Sequence, residues 1–149
     1  MLDADELYKR FSDKAREAFR TGNSLEKFSK KPMSSTHILM GLITSPSHCI
    51  VSILKHFGVS IAKAESDINK SSIPSDEVQK CHDIVLSAIN SSKLRGDNYV
   101  GTEHVLLGIL EQKETIASKI LESNGLTKET FDDLFNDPEK WSNLILKEN

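Results

Sequence analysis

Apolar residues recur along this chain at spacings of three and four, in short blocks separated by polar punctuation. Helices give that rhythm, because 3.6 residues per turn returns positions i, i+3, i+4 and i+7 to one face. In the first block Leu7, Phe11, Ala15, Ala18 and Phe19 share a face, with Asp3 and Glu6 as a capping box. A polar connector, 21–35, follows. A second helix starts near Ser35, carries Ile38, Leu39 and Leu42, and breaks at Pro46. A third runs from about Ser47 to Phe57, with Lys55 and His56 in its last turn and Gly58 just past its end. Ser60 caps a fourth, which holds Ile61, Ala64 and Ile68.

The stretch "NKSSIPS" (69–75) reads as a linker. After it Ser75 caps a long helix with Asp76 and Glu77 in the first turn and Val78, Cys81, Val85 and Ala88 along one face. "RGDNYVG" interrupts the chain again, and a sixth helix begins at Thr102. A seventh covers Glu114 to Asn124 and stops at Gly125; Thr127 caps an eighth. Asp137 as cap and Pro138 at the first helical position open a short last helix.

The two halves match at an offset of 67 residues. His37 falls on His104, Ile38 on Val105, Leu39 on Leu106 and Gly41 on Gly108. Without a gap the same offset puts Ile53 on Ile120, Leu54 on Leu121, Gly58 on Gly125 and Ser60 on Thr127. Apolar faces, stops and caps that agree at one offset mark an internal duplication. The expected fold is all-α: a pseudo-twofold pair of four-helix repeats, about eight helices plus a short C-terminal one. The expected organisation is one domain over 1–149, with repeat one at about 8–70, the linker at 69–75, repeat two at about 76–135 and an extension over 136–149. Leu39, Leu42, Ile53, Leu54, Leu106, Ile109, Ile120 and Leu121 form the expected core.

Length and composition fit that reading. A chain of 149 residues can bury one respectable core, and 7 Gly and 4 Pro are too few for a turn-rich β-sandwich. Net charge is −3 and no run of Lys or Arg exceeds two residues, which argues against nucleic acid as a partner. No apolar run approaches the roughly 20 residues that span a bilayer, so no membrane contact is expected. The start, "MLDADELYKRF", is acidic and amphipathic, unlike a secretory signal or an Arg-rich transit peptide. Two cysteines, Cys49 and Cys81, make a poor disulfide framework, and a reducing cytoplasm or organelle interior fits best.

"FSDKAREAF" (11–19), the paired "THILMGL" and "TEHVLLGIL", and "ILESNGL" closely resemble the amino-terminal domain of Clp ATPases. That double four-helix module precedes the ATPase rings of ClpA-, ClpB- and ClpC-type unfoldases, and "NYVGTEHVLLGIL" is especially close to the ClpC type. The resemblance covers about residues 8–135. It implies a docking platform for protein substrates and adaptor proteins, passed on to a Clp ATPase and its partner peptidase. No Gly-x-x-x-x-Gly-Lys-Ser/Thr loop is present to cradle a nucleotide, so no cofactor and no ATPase activity are expected. Two forms remain open within the family. One is an excised domain; the other is a free-standing accessory subunit that binds and stabilises a Clp peptidase core, in the cytoplasm or in the plastid stroma after loss of a transit peptide.

The triplet Thr102-Glu103-His104 concentrates the chemistry. Read structurally, Thr102 caps the helix, Glu103 complements its dipole as the first helical residue, and His104 packs beneath. Read functionally, the amides of a helix N-terminus suit a phosphoryl group and a neighbouring carboxylate suits a guanidinium. Phosphoarginine carries both, and some ClpC-type domains bind phosphoarginine-tagged proteins through the Glu of this triplet in each repeat. The resemblance therefore assigns Gly101, Thr102 and Glu103 as the ligand site. Their counterparts Ser34, Ser35 and Thr36 form a degenerate copy, because Thr36 stands where the carboxylate belongs. On this reading Thr36→Glu would add a second binding event.

No catalytic or metal-ligating residue is assigned. His48-Cys49 and Cys81-His82 are adjacent pairs whose members point about 100° apart on a helix, with no second pair spaced for tetrahedral closure. The rival from another class is a small helical enzyme that uses Glu103 and His104 as acid and base. Trp141 lies outside the repeat and reads either as the anchor of the last helix or as a partner-binding aromatic.

Overall fold

In a computed structural model, residues 9–24, 35–44, 48–60, 62–64, 66 and 77–147 are described. Eight helices are found among them: α1 (Asp13–Ser24), α2 (Ser35–Ile43), α3 (His48–His56), α4 (Glu77–Leu94), α5 (Thr102–Glu111), α6 (Ile116–Ser123), α7 (Lys128–Phe135) and α8 (Pro138–Lys147). One further helical turn lies at 62–64, and the described residues contain no strand, only an isolated parallel bridge between Phe11 and Val100. The fold is all-α, as the periodicity predicts.

Helix boundaries follow local chemistry. Ser60 Oγ accepts from Lys63 N–H, Thr115 Oγ1 from Ser118 N–H and Thr127 Oγ1 from Thr130 N–H. Asp137 Oδ1 takes the amides of both Glu139 and Lys140. Gly58 and Gly125 end α3 and α6 at φ of +79° and +88°, a left-handed conformation that a Cβ would strain. Two expected boundaries move. The seventh predicted helix starts at Ile116 rather than Glu114, because Thr115 is its cap. The first helix does not run through Phe11: Ser12 Oγ accepts from Ala15 N–H and starts α1 at Asp13. Phe11 lies instead in the bridge, where Val100 N–H donates to Arg10 O and Ser12 N–H to Val100 O. The expected features at Asp3, Glu6, Leu7, Ser34, Pro46, Ser47, Ile61, Ile68, the linker 69–75, Ser75 and Asp76, and the side chains of Phe19, His48, Cys49 and Val78, lie outside the described residues.

Helices α2 and α5 start 67 residues apart and form the centre. Helix α1 packs on α2 as α4 packs on α5, and α2 and α5 touch each other. All nine residues of α2 are buried, which explains why "STHILMGLI" has no polar stripe. The eight expected core residues are all buried, from Leu39 at 0% to Ile120 at 6% exposure. Each such side chain contributes about 1.5–3 kcal/mol of burial. The symmetry breaks at one place. Helix α2 packs against α6, whereas among the described residues α5 has no comparable contact with α3. Helix α8 crosses back onto α3 and α7.

Candidate functional site

The loop between α4 and α5 is wound around two buried side chains. Ser92 Oγ donates to Tyr99 O at 2.5 Å and reaches Asp97 O at 3.4 Å, while Asp97 N–H donates to Ser92 O. Gly96 makes the turn at φ +74°. His104, with no exposed surface, fixes the other end: its Nδ1 accepts from Gly101 N–H at 2.8 Å, and its Nε2 donates to Asp97 Oδ2 at 2.7 Å. The Gly101 amide requires a lone pair on Nδ1, so the imidazole is neutral and carries its proton on Nε2.

This arrangement corrects the expected cap. Gly101, not Thr102, is the N-cap of α5, and the capping group is an imidazole reaching back from the third helical position. Thr102 is the first helical residue and only 2% exposed; Glu103 is the second. Both nitrogens of His104 are held, so the imidazole is a structural clasp and offers no site for acid–base exchange with a substrate. Replacing it with alanine strands the Gly101 amide and the Asp97 carboxylate. His104→Ala should therefore lower the unfolding free energy by about 1–3 kcal/mol, read from urea denaturation.

Glu103 bends back toward the helix start. A Cβ at Gly101 would lie 2.5 Å from Glu103 Oε1 and 2.6 Å from Oε2, so the carboxylate occupies the space above the cap. Oε1 stands 3.7 Å from His104 Nδ1, and the side chain keeps 20% of its surface exposed. The Tyr99 phenol is pushed above its usual range by the Glu103 charge first, then by burial, by its hydrogen bond to Glu103 and by Asp97. It stays protonated at neutral pH.

Around this point opens a groove of about 920 Å³. It is lined by Asp97, Tyr99, Gly101, Thr102 and Glu103 from the α4–α5 loop and the α5 start, by Leu94 and Arg95 at the end of α4, by Phe135, Asn136, Pro138 and Trp141, and by Ser12 and Lys14 at the α1 start. The expected site residues Gly101, Thr102 and Glu103 all line it. Their counterparts meet a different fate. Ser35 and Thr36 are fully buried, and Ser35 Oγ accepts the Ala117 amide at the start of α6. Ser34 is outside the described residues.

The sequence reading passed over Arg95, Asp97, Tyr99 and Phe135. "RGDNYVG" read only as a break, although a segment that carries both charges, Arg95 and Asp97, and an aromatic between two glycines is a fair site signal. Trp141 does anchor the last helix, with its ring 5.9 Å from Phe131 and 5.3 Å from Phe135, and it also walls the groove. Among the described residues no three His, Cys, Asp or Glu side chains are grouped to hold a metal. Cys81 is buried, and His82 is exposed.

Residues 10–124 match the family model described as the Clp repeat (R) N-terminal domain. The chain belongs to this family. This Clp N-terminal domain is 27% identical over 152 residues to a probable ATP-dependent Clp protease ATP-binding subunit from Chlamydia pneumoniae, covering 95% of this chain and 17% of that protein. It is 27% identical over 135 residues to the chloroplastic chaperone protein ClpC1 of Oryza sativa subsp. japonica, covering 80% of this chain and 14% of that one. The chain therefore spans about a sixth of the length of these relatives, and the ATP binding in the first one's name is a property of the whole protein. In fold it is similar to the crystal structure of the N-terminal domain of the caseinolytic protease associated chaperone ClpD from Arabidopsis thaliana. The TM-score is 0.53 at 17% identity, over 85% of this chain and 94% of that one. Bacterial and chloroplastic proteins are both among the relatives. No helix among the described residues is long and apolar enough to cross a membrane.

Proposed function

We propose that this Clp N-terminal domain is a non-catalytic docking module, one domain of two repeats, that presents protein substrates or adaptors to a Clp ATPase and its peptidase. The observation that carries the reading is the groove at the α5 start. It holds a partly exposed carboxylate, Glu103, whose neighbours are a protonated phenol and a neutral imidazole. Among the described residues no Lys or Arg lies within ion-pair distance of this carboxylate, and a guanidinium would satisfy it with two parallel bonds. An arginine-based tag, phosphoarginine in particular, is the ligand class we assign, with Glu103 as its guanidinium partner. Since relatives come from bacteria and from chloroplasts, the domain acts on this reading in the bacterial cytoplasm or the plastid stroma.

Calorimetric titration with a phosphoarginine peptide tests it. Glu103→Ala should weaken binding by about 10-fold or more, since a hydrogen bond to a charged group contributes about 1.5–3 kcal/mol. Equal affinity of wild type and variant would remove Glu103 from the site, and capture of the same partners by both from a native lysate would move docking to another face.

A further inference from the structure

Both ring nitrogens of His104 have a carboxylate close by, although the side chain itself has no exposed surface. Asp97 Oδ2 lies 2.7 Å from Nε2 and Glu103 Oε1 lies 3.7 Å from Nδ1. The two acids keep 31% and 20% of their side-chain surface exposed, so each stands between the ring and water. Among the described residues no Lys or Arg forms an ion pair with either. Tyr99 meets the imidazole edge-on and Phe135 of α7 faces it, with ring centroids 5.6 and 6.1 Å away. The cations of the groove stand further back: Arg95 lies over the Phe135 ring, and Lys14 comes from the α1 start. Helix α2, which touches α5, carries His37 as its one titratable side chain.

The neutral ring directs its Nδ1 lone pair at the Gly101 amide, 2.8 Å away. A proton taken from solvent at that atom turns the acceptor into a donor, and two N–H groups then point at each other. That contact must open. The acceptor in reach of the new N–H is Glu103 Oε1, which has to close by roughly 1 Å to make a charge-assisted bond. Gly101 leaves the path clear, since a Cβ there would lie 2.5 Å from the same oxygen. Nε2 keeps its proton and its bond to Asp97, so the imidazolium ends between two carboxylates. In the first repeat Thr36 stands in place of Glu103 beside His37, and the carboxylate is missing from that position.

We propose that His104 is a proton-operated switch on the docking groove: protonation of Nδ1 releases the Gly101 amide and draws Glu103 into an ion pair, which takes that carboxylate from an incoming cation. The inference rests on Glu103 being the cation-binding group of the groove, and it adds a regulation to that site. The coupling is reciprocal by linkage. A guanidinium bound at Glu103 favours the neutral ring, so docking on the protonated domain releases a proton to solvent.

Two readouts test this on the whole chain. NMR from pH 8 to pH 5, the range in which histidines in general change charge, follows the His104 ring nitrogens, the Gly101 amide and the Glu103 carboxyl. All three should shift with one midpoint. Glu103→Gln should move that midpoint to lower pH, because it removes the charge that receives the new N–H. Acid loosening of the packing around the ring would leave it in place. In His104→Asn the side-chain oxygen accepts from Gly101 N–H but takes up no proton, so the Gly101 and Glu103 signals should stay flat. Should that variant fail to fold, Glu103→Gln decides alone. Trp141 is the only tryptophan in the chain and lines the groove, so its fluorescence reports occupancy. A capped Ala-Ala-Arg-Ala-Ala peptide, whose guanidinium stays charged throughout, should bind about 10-fold more weakly at pH 5 than at pH 8. A ring that stays unprotonated to pH 5, a Gly101 amide indifferent to the ring's proton, a midpoint unmoved in Glu103→Gln, or equal peptide affinity at both pH values overturns the proposal. A peptide that binds at neither pH, with the three signals still shifting together, confirms the proton-driven pairing and overturns only the cation-binding role assigned to Glu103 under Proposed function.

Discussion

Thr36→Glu should destabilise the domain by about 3 kcal/mol or more instead of giving it a second binding site. Position 36 is the second residue of α2, as 103 is the second of α5, and simple symmetry places a carboxylate equally well at either. The surroundings differ. Glu103 keeps 20% of its side chain exposed and faces a groove, whereas Thr36 has no exposed surface and its neighbour Ser35 is hydrogen-bonded into the start of α6. A carboxylate at 36 must overfill a packed interior and lose its hydration. With a urea dependence of about 1–3 kcal/mol per molar, the midpoint should fall by roughly 1 M or more at pH 7. The sign of the pH dependence follows. Burial raises the folded-state pKa of the new acid above its unfolded value of about 4.3, so the ionisation part of the penalty vanishes where both states are protonated and grows as pH rises above about 4.3, while the overfilling part stays. The deficit against wild type should therefore shrink between pH 7 and pH 4. Wild-type stability with a second phosphoarginine equivalent would show that the α2 start is open.

Most of the fold was legible because helix ends are written in local chemistry. Ser60, Thr127 and Asp137 cap where a short polar side chain precedes an apolar block, and Gly58 and Gly125 stop helices in a conformation that excludes most other residues. The offset of 67 residues then supplied the architecture. The start of α5 was misjudged by one residue because its cap is His104, reaching back to Gly101, and an imidazole at the third position is outside the usual Ser, Thr, Asp and Asn signal. Phe11 was placed in a helix because its spacing to Ala15 is helical, while the bridge to Val100 that claims it lies 89 residues away.

The site was half legible for a related reason. Gly101, Thr102 and Glu103 are consecutive, so motif and spacing find them. Arg95, Phe135 and Trp141 come from the end of α4, the end of α7 and the first turns of α8, and nothing local says that they meet. The fate of Ser35 and Thr36 is likewise a tertiary matter. The repeat pattern equates them with Thr102 and Glu103, but α6 is seated on α2, and among the described residues α3 makes no comparable contact with α5. Duplication fixed two similar scaffolds, and one asymmetric contact decides which of them keeps an open end.

A close backbone approach between α4 and α5 gives the other large effect. Gly108→Ala should lower the melting temperature by about 4–8 °C, a loss of about 2 kcal/mol for a domain of this size. Helix propensity alone predicts the opposite, since alanine is favoured over glycine in a helix interior by about 1 kcal/mol. At position 108 a Cβ would lie 2.6 Å from Ile84 O, 3.2 Å from Ala88 N and 3.4 Å from Ile84 Cγ2. The two nearest are backbone atoms of α4, and no rotamer change moves them, so α4 and α5 must separate along their shared face. Ile84 and Ala88, both fully buried, lose contact as they do. The damage should reach the groove as well. Ser92, one turn further along α4, holds Tyr99 O, and Arg95 follows directly after α4. A lowered melting temperature together with weaker peptide binding is the expected pair of results from calorimetry and Trp141 fluorescence. A melting temperature equal to or above that of wild type would mean that the helices stand further apart than 2.6 Å allows, and that Gly108 is present for some other reason than contact.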